Sequence, residues 1–172
     1  MDQVSESRYL PSTVGYFAKL LSEGLAPGDI AALRRLRPGA PDCSAFWRVM
    51  ALQESVLPGR GPHRDEAERR WACILQAMAV LKGMHQPSAA MGPALAEANI
   101  SEHRVLRLLR ASGDPLADAV RITAHHLSQK AVAIDQADLA ALVLSDGEPT
   151  QEAVRRRIAR RYYNTLSKEA LK

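Results

Sequence analysis

The spacing of apolar residues restricts this chain to helices. No segment alternates apolar and polar residues with a period of two, whereas apolar residues recur at helical spacing, as at Trp71, Leu75, Met78 and Leu81. Alanine (28 copies) and leucine (21 copies) dominate, and aromatic residues make up only 5%. Alanine and leucine are strong helix formers, while aromatic residues favour strands. The sequence therefore predicts an all-α fold.

Capping and breaking residues divide the chain into about eight helices. Asp114 before Pro115, and Asp135, are typical helix N-termini, whereas Gly24 and Gly59 are typical of helix ends. A short ninth helix is predicted at 93–98, inside a segment rich in proline and glycine. The main predicted helices span residues 12–23, 27–37, 44–57, 64–83, 101–111, 114–129, 135–144 and 150–167.

The segment 84–99 is the best candidate for a boundary between two lobes. It contains Pro87, Gly92 and Pro93, so it is predicted to be a loop around the short helix. A length of 172 residues suits one domain or two small lobes with a substantial core. A two-lobed helical bundle would consist of residues 12–98 and 99–172, and one continuous domain is the alternative.

Most enzyme classes lack their sequence signatures here. The first ten residues carry Asp2 and Glu6 and no apolar segment, so we expect no secretory signal, and no apolar run is long enough to cross a membrane. His125 and His126 are adjacent, so they point about 100° apart on a helix and cannot share one metal ion. No glycine-rich phosphate loop or catalytic triad is recognisable. We expect a cytoplasmic, non-catalytic binding or assembly protein without metal or cofactor.

The charge is distributed unevenly along the chain. The overall net charge is +4, yet residues 149–172 carry +5 and residues 111–148 carry −4. Of the 23 cationic residues, 18 are arginine. The planar guanidinium matches phosphate oxygens, so this excess points to an anionic partner, although a GC-rich gene would favour the same residue.

Helical geometry places many arginines on faces that contain few acids. In the predicted helix 150–167, four arginines lie opposite the apolar face, while Arg155 points towards the core and is expected to meet a buried acid. In 101–111, three arginines and His103 share an arc of about 120°. Tyr163 borders the first group and could stack on bases, whereas Tyr162 is predicted to be core. The candidate nucleic-acid-binding residues are Arg34, Arg35, Arg104, Arg107, Arg110, Arg156, Arg157, Arg160 and Arg161.

Base-specific reading of DNA is disfavoured. The turn before Asp114 has the length of a helix-turn-helix, but the following helix offers Asp114 and Asp118 and only Arg121 as a donor to bases. This leaves binding to the nucleic-acid backbone without sequence specificity. The affinity of such binding should fall steeply as the salt concentration rises. An ordinary solvated face is the alternative explanation of each arginine cluster, but such a face usually interleaves acids, and the helices 101–111 and 150–167 show few on their arginine faces.

Five blocks of the sequence resemble the CasB family, the small subunit of the type I-E CRISPR surveillance complex, Cascade. The blocks occur in the family's order over residues 28–163. They are GDIAALRRL at 28–36, AFWRV at 45–49, ERRWA at 68–72, SEHRVLRLLR at 101–110 and RIARRYY at 157–163.

The resemblance implies an all-helical, two-lobed subunit without a catalytic site. Two copies would touch the backbone and large subunits of Cascade, and their basic surface would hold the displaced single-stranded DNA and support the crRNA–DNA heteroduplex, which stabilises the R-loop. His103 stands where a basic residue is expected. The family's basic positions match Arg34, Arg35, Arg104, Arg107, Arg110, Arg157, Arg160 and Arg161. A helical protein–protein scaffold without direct nucleic-acid contact is the alternative.

Overall fold

Nine α-helices and no strand make up the part of the chain described by the computed structural model, which is residues 3–37, 39, 41–57, 59 and 61–171. This confirms the all-α prediction. A π-helical turn at Leu20–Gly24 follows the first helix, and a 3₁₀ turn at Glu54–Val56 follows the third. The helices are α1 (Gln3–Lys19), α2 (Pro27–Arg34), α3 (Ser44–Ala51), α4 (Pro62–Val80), α5 (Met91–Glu97), α6 (Glu102–Arg110), α7 (Asp114–Gln129), α8 (Gln136–Leu144) and α9 (Gln151–Ala170).

Helix α4 forms the centre of the core. Every residue from Trp71 to Val80 is buried, although the sequence predicts only one buried stripe on this helix. The reason is that α2, α7 and α8 all pack against α4, so its C-terminal half has no side that faces solvent. The buried amide of Gln76 donates hydrogen bonds to the carbonyl oxygens of Arg34 (3.4 Å) and Leu36 (2.5 Å), which satisfies its donor group.

Helices from both predicted lobes share one core. Helix α1 packs against α8, α5 lies along α9, and α6 packs against both α7 and α9. The buried apolar residues of all these helices belong to a single cluster. The chain between α4 and α5 also touches the chain before α8, where the amide of Gln86 donates to the carbonyl oxygen of Ile134 (2.9 Å). The division at residue 98 stays a prediction.

The contact between α5 and α9 brings two backbones close together. A Cβ atom added at Gly92 would lie 2.6 Å from the carbonyl oxygen of Ile158 and 2.7 Å from the amide nitrogen of Tyr162. Glycine is therefore the residue that lets α9 approach α5. The sequence treats Gly92 as a helix breaker, but α5 begins before it and shifts the predicted helix 93–98 towards the N-terminus.

Two helix ends differ from the predicted positions. Helix α1 begins nine residues before 12 and contains Pro11, and the Ser12 hydroxyl donates to the carbonyl oxygen of Tyr9 (2.7 Å) beside the proline ring. Helix α2 ends before 37, where the amides of Arg35 and Leu36 bond three residues back to the carbonyl oxygens of Ala32 and Leu33. The side chain of Gln76 then satisfies the carbonyl groups of Arg34 and Leu36.

Local capping fixes other helix ends. The carboxylate of Asp135 accepts a hydrogen bond from the amide of Ala137 (2.9 Å), which confirms the predicted cap of α8. Helix α3 is shorter than the predicted 44–57, since the amide of Leu52 bonds to Val49 three residues back and tightens the turn. At the start of α7, Gly113 rather than Asp114 occupies the cap position, with φ of 60°.

Candidate nucleic-acid interface

Helix α6 presents an exposed row of arginines. Its apolar face is buried through Val105, Leu108 and Leu109. On the opposite side the side chains of Arg104, Arg107 and Arg110 are exposed, and we call these three the α6 row. Within the described residues none of the three forms an ion pair. Their charges are therefore available to an external anion.

Helix α9 carries a second exposed row that is largely paired within the chain. Val154, Ile158 and Tyr162 are buried, as predicted, and the arginines on the other side are exposed. Arg160 alone among these arginines forms no ion pair within the described residues. We call the exposed residues the α9 row, which consists of Arg156, Arg157, Arg160 and Arg161.

Two of the three paired arginines in the α9 row share an acid from another helix. Asp138 of α8 accepts a hydrogen bond from Arg157 (3.0 Å) and lies 3.8 Å from Arg161. The same carboxylate accepts the backbone amide of Met91 at the start of α5 (3.0 Å). Arg156 pairs with Glu152 one turn earlier (2.7 Å). Helix α9 itself contributes few acids to its arginine face, but the folded protein places Asp138 of α8 beside that face.

Arg155 is a structural residue, as the sequence predicts. Its guanidinium lies 3.5 Å from the carboxylate of Asp146, and both side chains are largely buried. It also donates to the carbonyl oxygen of Ala111 (2.6 Å) and the hydroxyl of Ser112 (3.1 Å). These contacts fasten the N-terminal half of α9 to the end of α6, so Arg155 helps to hold the two arginine rows in place.

The arginines at the end of α2 are differently placed. Arg34 donates through Nε to the carbonyl oxygen of Ala79 (2.9 Å), a group at the end of α4 that has no helical partner. Arg35 is exposed. Helix α2 packs against α3 and α4. Arg34 thus caps a helix, while Arg35 remains free to meet an anion.

Tyr163 is less accessible than the sequence suggests. Its ring is half-buried and meets Tyr162 edge to face, with centroids 5.2 Å apart. Burial, together with the nearby Glu102 carboxylate, raises the pKa of the Tyr163 phenol. The ring is therefore partly occupied by its contact with Tyr162, and its phenol group lies near Glu102 of α6.

A groove between α6 and α7 collects basic side chains that the sequence reasoning did not combine. It has a volume of about 540 Å³, and among the described residues that line it none is acidic. His126 Nδ1 lies 3.3 Å from Arg104 Nη1 across the groove. The signal in the sequence that could have indicated this groove is the spacing of Arg121, His125 and His126, which stand four and five residues apart on α7. The polar side chains that line this α6–α7 groove are Arg104, Arg107, Arg121, Thr123, His125, His126 and Gln129.

The fold and these surfaces define an all-helical protein with an unpaired row of arginines beside a basic groove. No helix in the described ranges is both long and apolar enough to span a membrane. The chain belongs to the family of the CRISPR-associated protein Cse2, whose family model matches residues 29–163. This confirms the resemblance to the CasB family and makes the chain a small subunit of a CRISPR Cascade complex.

A solved structure supports the same fold. The chain is similar to the crystal structure of CasB from Thermobifida fusca, with a TM-score of 0.65 and 20% sequence identity. The similarity covers 91% of this chain and 96% of the other. Among curated proteins no match was found.

Proposed function

We propose that this chain is the non-catalytic small subunit of a type I-E complex and that it binds the nucleic-acid backbone without sequence specificity. In this role it would hold the displaced non-target strand and support the crRNA–DNA heteroduplex. The observation that carries the proposal is the α6 row, because it offers three exposed guanidinium groups without an acid partner in the described structure. Guanidinium groups bind phosphate oxygens in a two-pronged geometry.

A modest number of backbone contacts is enough for this role. The exchange of a DNA duplex for an RNA–DNA hybrid is nearly balanced in free energy, so contacts to the displaced strand tip it towards the open state. The α6 row and Arg160 together provide four unpaired cations on the neighbouring helices α6 and α9. Two acids at the start of α7, Asp114 and Asp118, are exposed and would repel a duplex laid along that helix.

Salt dependence tests the proposal directly. If four phosphates of a single strand are neutralised, log affinity should fall with log salt at a slope of about −3, which weakens binding about 50-fold between 50 and 200 mM salt. The measurement is a salt-titrated gel shift or anisotropy assay with the full chain and unrelated single-stranded oligonucleotides. A slope near zero, or a strong preference for one sequence, would contradict the proposal.

The paired state of the α9 row gives a second prediction. Asp138→Asn keeps an acceptor for the Met91 amide but removes the charge that engages Arg157 and Arg161. We expect single-strand affinity to rise about threefold, while the free energy of unfolding falls by about 1 kcal/mol because a partly buried ion pair is lost.

The matched control for this variant is Asp65→Asn on α4, which removes one exposed acid far along the chain from both rows. Its affinity should change by less than about 1.5-fold, since only the net charge differs. Equal effects of the two variants would show that the α9 row takes no part in binding.

A scaffold role without nucleic-acid contact is the second candidate. The observation in its favour is that three members of the α9 row already have acid partners, so this face is less prepared for phosphate than the α6 row. Such a scaffold would dock on the backbone and large subunits or on a second copy. Crosslinking from the α6 row in a reconstituted complex discriminates, because a scaffold gives protein adducts alone.

A further inference from the structure

An exposed tryptophan borders a second groove, which lies between the segment before α3 and the N-terminal half of α4. Trp47 of α3 is 45% exposed, although tryptophan is largely buried in most folds. Its ring meets the fully buried ring of Phe46 edge to face, with centroids 5.0 Å apart. Pro41 forms another apolar part of the lining. We call this site the Trp47 groove, and it presents an aromatic side chain beside space that a partner can fill.

The charged side chains of the Trp47 groove are mostly acidic, in contrast to the two arginine rows. Asp42 and Asp65 line the groove and are exposed. Neither of them forms an ion pair with another residue in the part of the chain that the structure describes. Glu68 also lines the groove, and it pairs with Arg64 at 2.9 Å. The carboxylates of Asp42 and Asp65 are therefore available to an external cation.

Among the described lining residues the one cation, Arg69, already has an internal partner. Its Nε and Nη2 atoms donate to the same carboxylate oxygen of Glu66, at 3.2 and 3.1 Å. The other oxygen of Glu66 accepts a hydrogen bond from Arg70 (3.1 Å). An external phosphate at this surface would face Asp42 and Asp65, which repel it. The Trp47 groove is therefore unsuited to nucleic acid and favours a cationic ligand.

An aromatic ring beside free carboxylates is suited to a guanidinium group. A cation over the face of an indole ring is attracted by the quadrupole of that ring. Guanidinium is planar and weakly hydrated, so it stacks on the ring and still forms two-pronged hydrogen bonds with a carboxylate. The ammonium group of lysine is compact and strongly hydrated, and it lacks this geometry. The volume of the groove, about 370 Å³, is small for a ligand site and suits a single side chain.

We propose that the Trp47 groove is a docking surface for an arginine side chain of a partner protein. The guanidinium lies over the indole ring of Trp47, and the carboxylates of Asp42 and Asp65 accept its hydrogen bonds. Charge complementarity identifies the occupant, because this acidic surface belongs to a chain whose net charge is +4 and whose other exposed clusters are basic. The inference does not depend on nucleic-acid binding, since it uses none of the residues of the α6 and α9 rows.

The test titrates the ¹⁵N-labelled full chain with the peptide acetyl-Gly-Arg-Gly-amide and follows the indole N–H signals by NMR. The chain contains two tryptophans, and Trp71 is buried (3% exposed), so its signal is an internal reference. We expect the Trp47 signal to shift saturably with a Kd of about 5 mM, while the Trp71 signal stays in place. The same peptide with lysine should bind about threefold more weakly, and the peptide with glutamine should cause no shift.

Variants that remove charge but keep shape locate the binding site. Asp42→Asn and Asp65→Asn should each weaken binding of the arginine peptide about threefold, and the double variant about tenfold. Glu97→Gln removes an exposed acid of α5 outside the groove and should bind the peptide as the wild type does. Asp65→Asn is also expected to leave oligonucleotide affinity nearly unchanged, so failure of this inference and failure of the proposed function are distinguishable.

Photo-crosslinking in a reconstituted complex identifies the class of the partner. The variant Trp47→p-benzoylphenylalanine places the reactive group in the groove, and mass spectrometry locates the attachment site. We expect adducts to a protein segment that contains an arginine. Adducts to nucleic acid, adducts to segments without arginine, or no adduct at all would overturn the inference. In the peptide titration it is overturned by wild-type affinity of the double variant, by a saturable shift with the glutamine peptide, or by an unmoved Trp47 signal.

Discussion

Replacement of Gly92 by alanine will destabilise the protein by about 2 kcal/mol. The added Cβ would lie 2.6 Å from the carbonyl oxygen of Ile158 and 2.7 Å from the amide nitrogen of Tyr162, both of them backbone atoms that cannot rotate away. Helix α5 must therefore move off α9, which loosens the contact that also buries Tyr162. Alanine gains helix propensity of about 0.5–1 kcal/mol, which offsets only part of the cost.

Gly15→Ala is the matched control for this prediction. Gly15 also lies inside a helix, but a Cβ atom there would meet nothing within 4 Å. Alanine at this position should stabilise the protein by about 0.5–1 kcal/mol through helix propensity alone. Both variants are measured by urea unfolding followed by circular dichroism. If Gly92→Ala is as stable as the wild type, the backbones of α5 and α9 are not in the contact described.

Removal of the α6 row will have the largest effect on nucleic-acid binding. When Arg104, Arg107 and Arg110 are all replaced by alanine, we expect affinity for single-stranded oligonucleotides to fall about 100-fold at low salt. The salt slope should change from about −3 to about −1, because three of the four unpaired cations are lost. The loss should be equal for unrelated sequences, since phosphates carry no sequence information.

The control must remove three cations from other exposed surfaces. Lys19→Ala, Arg69→Ala and Lys82→Ala together give the same net charge, and all three side chains are exposed. This variant should bind within about threefold of the wild type, because screening limits the effect of distant charges. Equal losses in both triple variants would mean that net charge rather than the α6 row determines binding. Melting temperatures establish that both variants fold.

The two arginine rows are expected to differ in importance. The α6 row is unpaired within the described structure, whereas three of the four arginines in the α9 row pair with Glu152 or with Asp138 from α8. A phosphate at α9 must compete with these carboxylates, and one at α6 need not. We therefore expect the α6 row to dominate affinity, with Asp138 controlling how much the α9 row adds.

Helix α6 could be predicted almost completely from the sequence. Its apolar residues recur at helical spacing, so the division into a buried face and an arginine face follows from 3.6 residues per turn. The partner of the end of α2 could not be predicted, because the amide that satisfies the carbonyl groups of Arg34 and Leu36 belongs to Gln76, forty residues away. Local signals place a helix, while its terminal groups can find partners far along the chain.

The same distinction between local and long-range information applies to the candidate site. The sequence alone determined the helical class, the arginine faces and the resemblance to the family, since these depend on composition and on periodicity within single helices. The tertiary structure alone decided that Asp138 pairs with arginines of the α9 row, that the backbone of α9 packs closely against Gly92, and that His126 faces Arg104. Each of these contacts joins residues on different helices, and its existence depends on how the shared core orients one helix against another.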